Sequence, residues 1–137
     1  MNLLQEGDIG TDGRRNLNVM AQKWLGIPYG WGANGPENVD CSGLVKSIFL
    51  DAWGISLPRT AQLQSGIGRK MLKEELEFGD LIFFGDSESH IDHVGIYWGK
   101  EWFLNATVSR GVIFSHLREP YWHGRFRWGR RITVFVQ

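Results

Sequence analysis

The hydrophobic period of this chain changes once, and that change constrains the fold more than any other feature. Up to about residue 65 the apolar residues recur at helical spacing. Leu17, Met20, Ala21, Trp24 and Leu25 form one stripe, and Leu44, Val45, Ile48, Phe49, Ala52 and Trp53 form a second. From Gly79 onward the apolar residues gather in short runs: Asp80–Gly85, His93–Trp98, Trp102–Thr107 and Val112–His116. The connections are hairpin-short, so these strands are expected to pair antiparallel in sequence order. Arg130–Val136 closes the sheet. Helices first and strands second predict an α+β layout, with N-terminal helices packed on a five- to six-stranded antiparallel sheet. A length of 137 residues fits one domain. Residues 1–12 lack periodicity and read as a loose lead-in, which leaves residues 13–137 as the domain.

Smaller signals place the connections. Asn16 is a plausible cap for the first helix, and Gly26-Ile27-Pro28 stops it. Tyr29 to Pro36 is a glycine-rich loop with two aromatics, permissive enough to bring backbone close to a ligand, although Gly-Pro alone supports only a surface turn. Leu57-Pro58-Arg59-Thr60 leads into a short helix over Ala61–Gln64. Residues 66–77 are charged and weakly patterned.

The glycine-rich loop delivers the chain to Cys41, the single cysteine. Cys41 lies in the first turn of the second helical stripe, on its apolar face. A thiol there meets unpaired backbone N–H groups and the positive end of the helix dipole, which favour the nucleophilic thiolate. A small buried core residue is an equally good reading of the helix alone. One cysteine excludes an internal disulfide and any multi-cysteine zinc site. Fifteen cationic and fifteen anionic side chains balance, so no field points to nucleic acid or a membrane surface. No apolar run approaches the ~20 residues of a spanning helix. The first twelve residues carry neither the basic start nor the apolar core of a signal peptide. The expectation is therefore a protein made in the cytoplasm.

A cysteine nucleophile needs a base, and the base needs an orienter. Of four histidines, His93 opens a strand and is the best placed. Asn105, a lone amide in the apolar run of the next strand, could accept from one ring nitrogen and leave the other facing Cys41. A structural strand histidine and an amide satisfying backbone explain the same residues. His90 sits in a turn, and His116 is the rival orienter. No group of residues has metal-ligand spacing, and no metal or organic cofactor is expected.

Taken in order, the motifs resemble the NlpC-type papain-like cysteine peptidases that cut bacterial cell-wall peptides. The resemblance is carried by Pro28-Tyr29-Gly30-Trp31-Gly32, Asp40-Cys41-Ser42-Gly43-Leu44-Val45, Leu57-Pro58-Arg59-Thr60, Gly79 to Phe84 and His93 to Tyr97. Asn105-Ala106, Gly111-Val112-Ile113, Glu119-Pro120-Tyr121-Trp122 and Arg125 to Arg131 continue it, from about Leu17 to Val136. It implies a catalytic Cys41 and His93, with Asn105 at a position where many members carry His. It implies Tyr29, Asp40, Ser42 and Arg59 at the substrate, Asp40 near the free amine of a peptidoglycan stem peptide. The implied reaction is cleavage of that peptide between D-glutamate and the diamino acid through an S-acyl enzyme. Amidase or acyltransferase chemistry on the same core, a wall-binding module, and a phage-tail or secreted-toxin component are the alternatives. The last would bring a tail-assembly or immunity protein as partner. Delivery to the wall by a phage tail or secretion machine, or recycling of wall peptides in the cytoplasm, are the expected settings.

Overall fold

The structure is a computed structural model that describes the backbone from Gly10 to Ile132 and side chains from Gly13 onward. Among the described residues four helices and six strands follow one another as α1 (Gly10–Trp24), α2 (Cys41–Trp53), α3 (Ala61–Gln64), β1 (Arg69–Met71), β2 (Leu81–Ser87), β3 (His90–Gly99), β4 (Trp102–Thr107), β5 (Gly111–His116), α4 (Pro120–Arg125) and β6 (Phe126–Arg131), with a 3₁₀ turn over Lys73–Glu75. All six strands form one antiparallel sheet in the order β1-β6-β2-β3-β4-β5. β2 to β5 pair in sequence order, as the short turns require. No described helix is long and apolar enough to cross a membrane.

α2 is buried along the stripe read from the sequence, from Cys41 through Leu44, Val45, Ile48 and Phe49 to Ala52 and Trp53. Its ends are set by side-chain and backbone chemistry. Asp40 is the N-cap and accepts from the Gly43 N–H at 2.7 Å. Gly54, at φ 67°, takes the left-handed conformation that lets its N–H reach Leu50 O at 2.9 Å. Leu81, Phe83, Val94, Ile96, Leu104 and Ala106 supply the sheet side of this core. The opposite sheet face carries a second, smaller cluster of Ile82, Phe84, Tyr97, Phe103 and Leu117, with Trp122 of α4 against it.

Four local expectations are corrected. α1 begins at Gly10, inside the stretch read as a lead-in; residues 1–9 lie outside the described residues. Asn16 is consequently mid-helix rather than a cap, and its Nδ2 donates to Ala52 O at 3.2 Å, tying α1 to the end of α2. The weakly patterned stretch contains β1 and the 3₁₀ turn. The last described strand is Phe126–Arg131, which begins four residues before the expected Arg130–Val136; residues 133–136 of that expectation lie outside the described residues. It was illegible because it is bulged: Phe83 pairs with Trp128 but Phe84 with Phe126, so Arg127 is an extra residue. Phe126 and Trp128 therefore face opposite sides of the sheet despite their even spacing.

Candidate active site

The Cys41 side chain, 6% exposed, faces the backbone at the start of β3. Its Sγ lies 4.0 Å from the carbonyl oxygen of Asp92. Burial pushes the thiol up to about 11, and the Asp40 carboxylate adds to that, against backbone N–H groups of Val94, Ser42 and Cys41 that pull it down. The helix start was expected to favour thiolate. Desolvation outweighs it, because a thiolate loses more by leaving water than a few backbone dipoles return.

His93 follows directly on Asp92. Its Nε2 is 2.9 Å from Asn105 Oδ1. The amide orientation, and hence the histidine tautomer, follows from what lies behind it. Asn105 Nδ2 donates to Ile113 O at 3.2 Å and to Ser115 Oγ at 3.0 Å. A carbonyl oxygen only accepts, so the NH₂ group must point at Ile113 and Oδ1 at His93. Neutral His93 then carries its proton on Nε2, and the lone pair is on Nδ1. Burial lowers His93 to about 4, with the Arg125 cation contributing, against the Asn105 hydrogen bond and the Asp92 carboxylate. The resting pair is accordingly a thiol and a neutral imidazole. Trp122 of α4 lies flat on the imidazole, with centroids 4.7 Å apart and planes at 26°.

Asp40, Ser42 and Arg59 meet in one cluster on the other side of Cys41. Arg59 donates from Nη1 to Asp40 Oδ1 at 3.0 Å and to Ser42 Oγ at 2.9 Å, and from Nη2 to Asp40 Oδ2 at 2.9 Å. Gly43 is required for this approach: a Cβ there would stand 2.5 Å from Ala33 O and 2.9 Å from Asp40 Oδ1. Tyr29 bridges the cluster and the cleft. Burial, together with Cys41 and Asp40, raises its phenol to about 12, with Arg59 opposing. Tyr29 and His93 line a cleft of about 570 Å³ whose rim carries the exposed Trp31 and Tyr121.

The structure therefore gathers Tyr29, Asp40, Cys41, Ser42, Arg59, His93 and Asn105 at one end of α2 and β3. It separates His116, the rival orienter, whose Nδ1 accepts from the Arg118 N–H and whose ring meets Trp102. Sequence reasoning missed Ser115, Asp92, Trp122 and Arg125. Trp122 and Arg125 fall in stretches that carried the family resemblance, which was the only signal for them. No group of three potential metal-ligating side chains occurs among the described residues.

Sheet order and the helix that presents Cys41 place the chain among papain-like α+β domains. It belongs to the NlpC/P60 family, whose model matches residues 26–131. It is 40% identical over 113 residues to a gamma-DL-glutamyl hydrolase of Bacillus subtilis, covering 81% of this chain and 27% of that protein. It is 38% identical over 124 residues to the murein DD-endopeptidase/murein LD-carboxypeptidase MepS of Escherichia coli, covering 86% of this chain and 65% of that protein. Among solved structures it is similar to an NlpC/P60 family protein of Bacillus cereus, with TM-score 0.83 and 30% identity over 94% of this chain and 43% of that one. The chain thus spans only part of each of these three proteins.

Proposed function

We propose that this domain is a peptidoglycan hydrolase, a cysteine endopeptidase that cuts the stem peptide between D-glutamate and the diamino acid. The observation that carries this reading is the Asn105 amide, locked by Ile113 O so that His93 keeps a free Nδ1 lone pair, one residue after the Asp92 carbonyl that Cys41 Sγ approaches to 4.0 Å. In this reading the Cys41 thiol gives its proton to His93 Nδ1 as sulfur bonds to the scissile carbonyl carbon. The Cys41 backbone N–H helps hold the oxyanion. His93 returns the proton to the departing amine as the C–N bond breaks, leaving an S-acyl enzyme. His93 then takes a proton from water as its oxygen bonds to the thioester carbon, and returns that proton to sulfur as the C–S bond breaks, releasing the carboxylic acid and restoring the Cys41 thiol. Asn105 orients the imidazole through both steps.

Asp40 Oδ1 already accepts from Gly43, Ser42 and Arg59, whereas Oδ2 accepts from Arg59. Oδ2 thus keeps acceptor capacity suited to a substrate ammonium, with Tyr29 alongside. A stem peptide with a free N-terminus fits that end. The name of the Bacillus subtilis relative points to a DL-bond, and that of the Escherichia coli relative to DD- and LD-bonds. Mass spectrometry of products from defined muropeptides decides: the expected cut is at the D-glutamyl bond, by wild type and not by Cys41→Ala. Release of intact stem peptide from muramic acid, or cleavage between two D-centres, replaces this reading.

A further inference from the structure

The β2–β3 hairpin that aims His93 is irregular at two places. Phe84 pairs with His93 but Gly85 with Ile91, so Asp92 is an extra residue on β3. Gly85 pairs with Ile91 but Ser87 with His90, so Asp86 is an extra residue on β2. A bulge gives up regular pairing and bends its strand, re-aiming the side chain beside it. Here that side chain is His93, and the Asp92 carbonyl beside it is the partner of the Cys41 thiol.

Both extra residues carry carboxylates, and both are held by one side chain. Arg125 at the end of α4 donates from Nη2 to the two carboxylate oxygens of Asp92 at 2.5 and 2.6 Å. From Nη1 it donates to Asp86 Oδ1 at 2.8 Å. The guanidinium also packs on the Tyr121 ring at 5.5 Å. Trp122, three residues before Arg125 and so on the same face of α4, covers the imidazole. We propose that Arg125 is a positioning residue: by clamping the two bulged residues, Asp92 and Asp86, it sets the direction in which His93 leaves its strand. A planar fork suits this task. A lysine ammonium is a single point charge and cannot span both carboxylates with fixed geometry.

The proposal rests on His93 acting as the base, and it has its own readout. The charged and titratable groups about His93 are Asp92 on its own strand and Arg125 on α4, which also holds Asp86; Tyr29, Arg110, Glu119 and Tyr121 line the same cleft, and Cys41 lies against the Asp92 carbonyl. Removing Arg125 takes away a cation and frees Asp92, and both changes stabilise imidazolium. A pH titration of the His93 ring protons, followed by NMR, reports the state of His93 without any peptide substrate. In R125A the midpoint of that titration should rise from about 4 toward the ordinary value of 6.5. On the muropeptide substrate kcat should fall about 10- to 100-fold while KM moves less than about threefold. R125K keeps the cation and loses the fork, so kcat should still fall while the midpoint stays near its wild-type position. In R125A/D92N the midpoint should move back down with kcat still low. Wild-type kcat and an unmoved midpoint in R125A overturn the proposal. If R125A does not fold, R125K decides alone: wild-type kcat overturns it. If the wild type cleaves no muropeptide, the His93 ring-proton shifts in R125K decide, since the stacked Trp122 makes them sensitive to the direction of the ring: shifts displaced from the wild-type values at the same pH uphold the clamp, and unchanged shifts refute it, whatever the substrate.

Discussion

Asn105 shows how much one buried side chain settles. It is wholly buried, 0% exposed, and both its amide hydrogens and its carbonyl oxygen are engaged. Because Ile113 O and Ser115 Oγ hold its NH₂ group, its carbonyl cannot turn away from His93. Asn105→Ala should lower kcat by part of the ~10²–10⁴-fold that a general base supplies, with little change in KM. Asn105→His should keep more activity than Asn105→Ala, since an imidazole nitrogen accepts the same bond. His116→Ala, on a side chain engaged elsewhere, should leave kcat unchanged; steady-state kinetics on one muropeptide compares all three.

The two titrating groups of the site also make a prediction about pH. The acid limb of kcat/KM should lie near 4, where His93 gains a proton, rather than near the ordinary histidine value. Stability follows the same shifts. His93 is lowered from 6.5 to about 4, so between those values the unfolded chain binds more protons and stability falls as pH drops through that window. Cys41 is raised from 9.0 to about 11, so its contribution is complete below 9.0 and is lost as pH rises through about 11. Chemical denaturation of wild type and His93→Gln across pH tests the acid side: the decline below 6.5 should be shallower in the variant.

At the scale of elements, the hairpin of β2 and β3 is where regularity was given up for aim. Its tolerance is narrow. A Cβ at Gly85 would stand 2.0 Å from His90 O, a backbone atom that no side-chain rotation can move. Gly85→Ala should therefore shift the double bulge. The expected result is a kcat loss like that of an Arg125 variant, together with destabilisation of about 1–3 kcal/mol. The Asp40 end of α2 behaves differently. There one carboxylate caps the helix and binds Arg59 at once, so structure and the proposed amine site share a residue.

At the scale of the whole molecule, the sheet is closed by an ion pair remote from Cys41. Arg131 on β6 donates to both oxygens of Asp80 at 2.8 and 2.9 Å, and it reaches Glu75 O at 3.1 Å. This joins the end of β6 to the turn before β2 and to the 3₁₀ segment. Arg131→Met would leave the Asp80 carboxylate buried without its partner, at a cost of about 3–5 kcal/mol. Asp80→Asn in the same chain should recover part of that, because a neutral amide is cheaper to bury than a carboxylate. Urea unfolding measures both, and kcat per folded molecule should not change.

What the sequence determined by itself is what periodicity and local chemistry encode. The stripe of α2 with Cys41 in its first turn, the turn that leads into α3 and the four strands from β2 to β5 all follow from spacing and turn residues. His93 and Asn105 were legible because a polar side chain inside an apolar strand run stands out against its neighbours. The tertiary structure decided the rest. β6 pairs with β2, far from it in sequence, and its bulge hides the alternation that would have revealed it. The ionisation of Cys41 went against the expectation of the helix start, since burial depends on what packs over a residue and not on where it sits in its helix. Ser115, Trp122 and Arg125 stayed out of sight for the same reason. Ser115 meets Asn105, Trp122 meets His93 and Arg125 meets Asp92 across strands or from another element, and contacts of that kind exist only once the chain has folded.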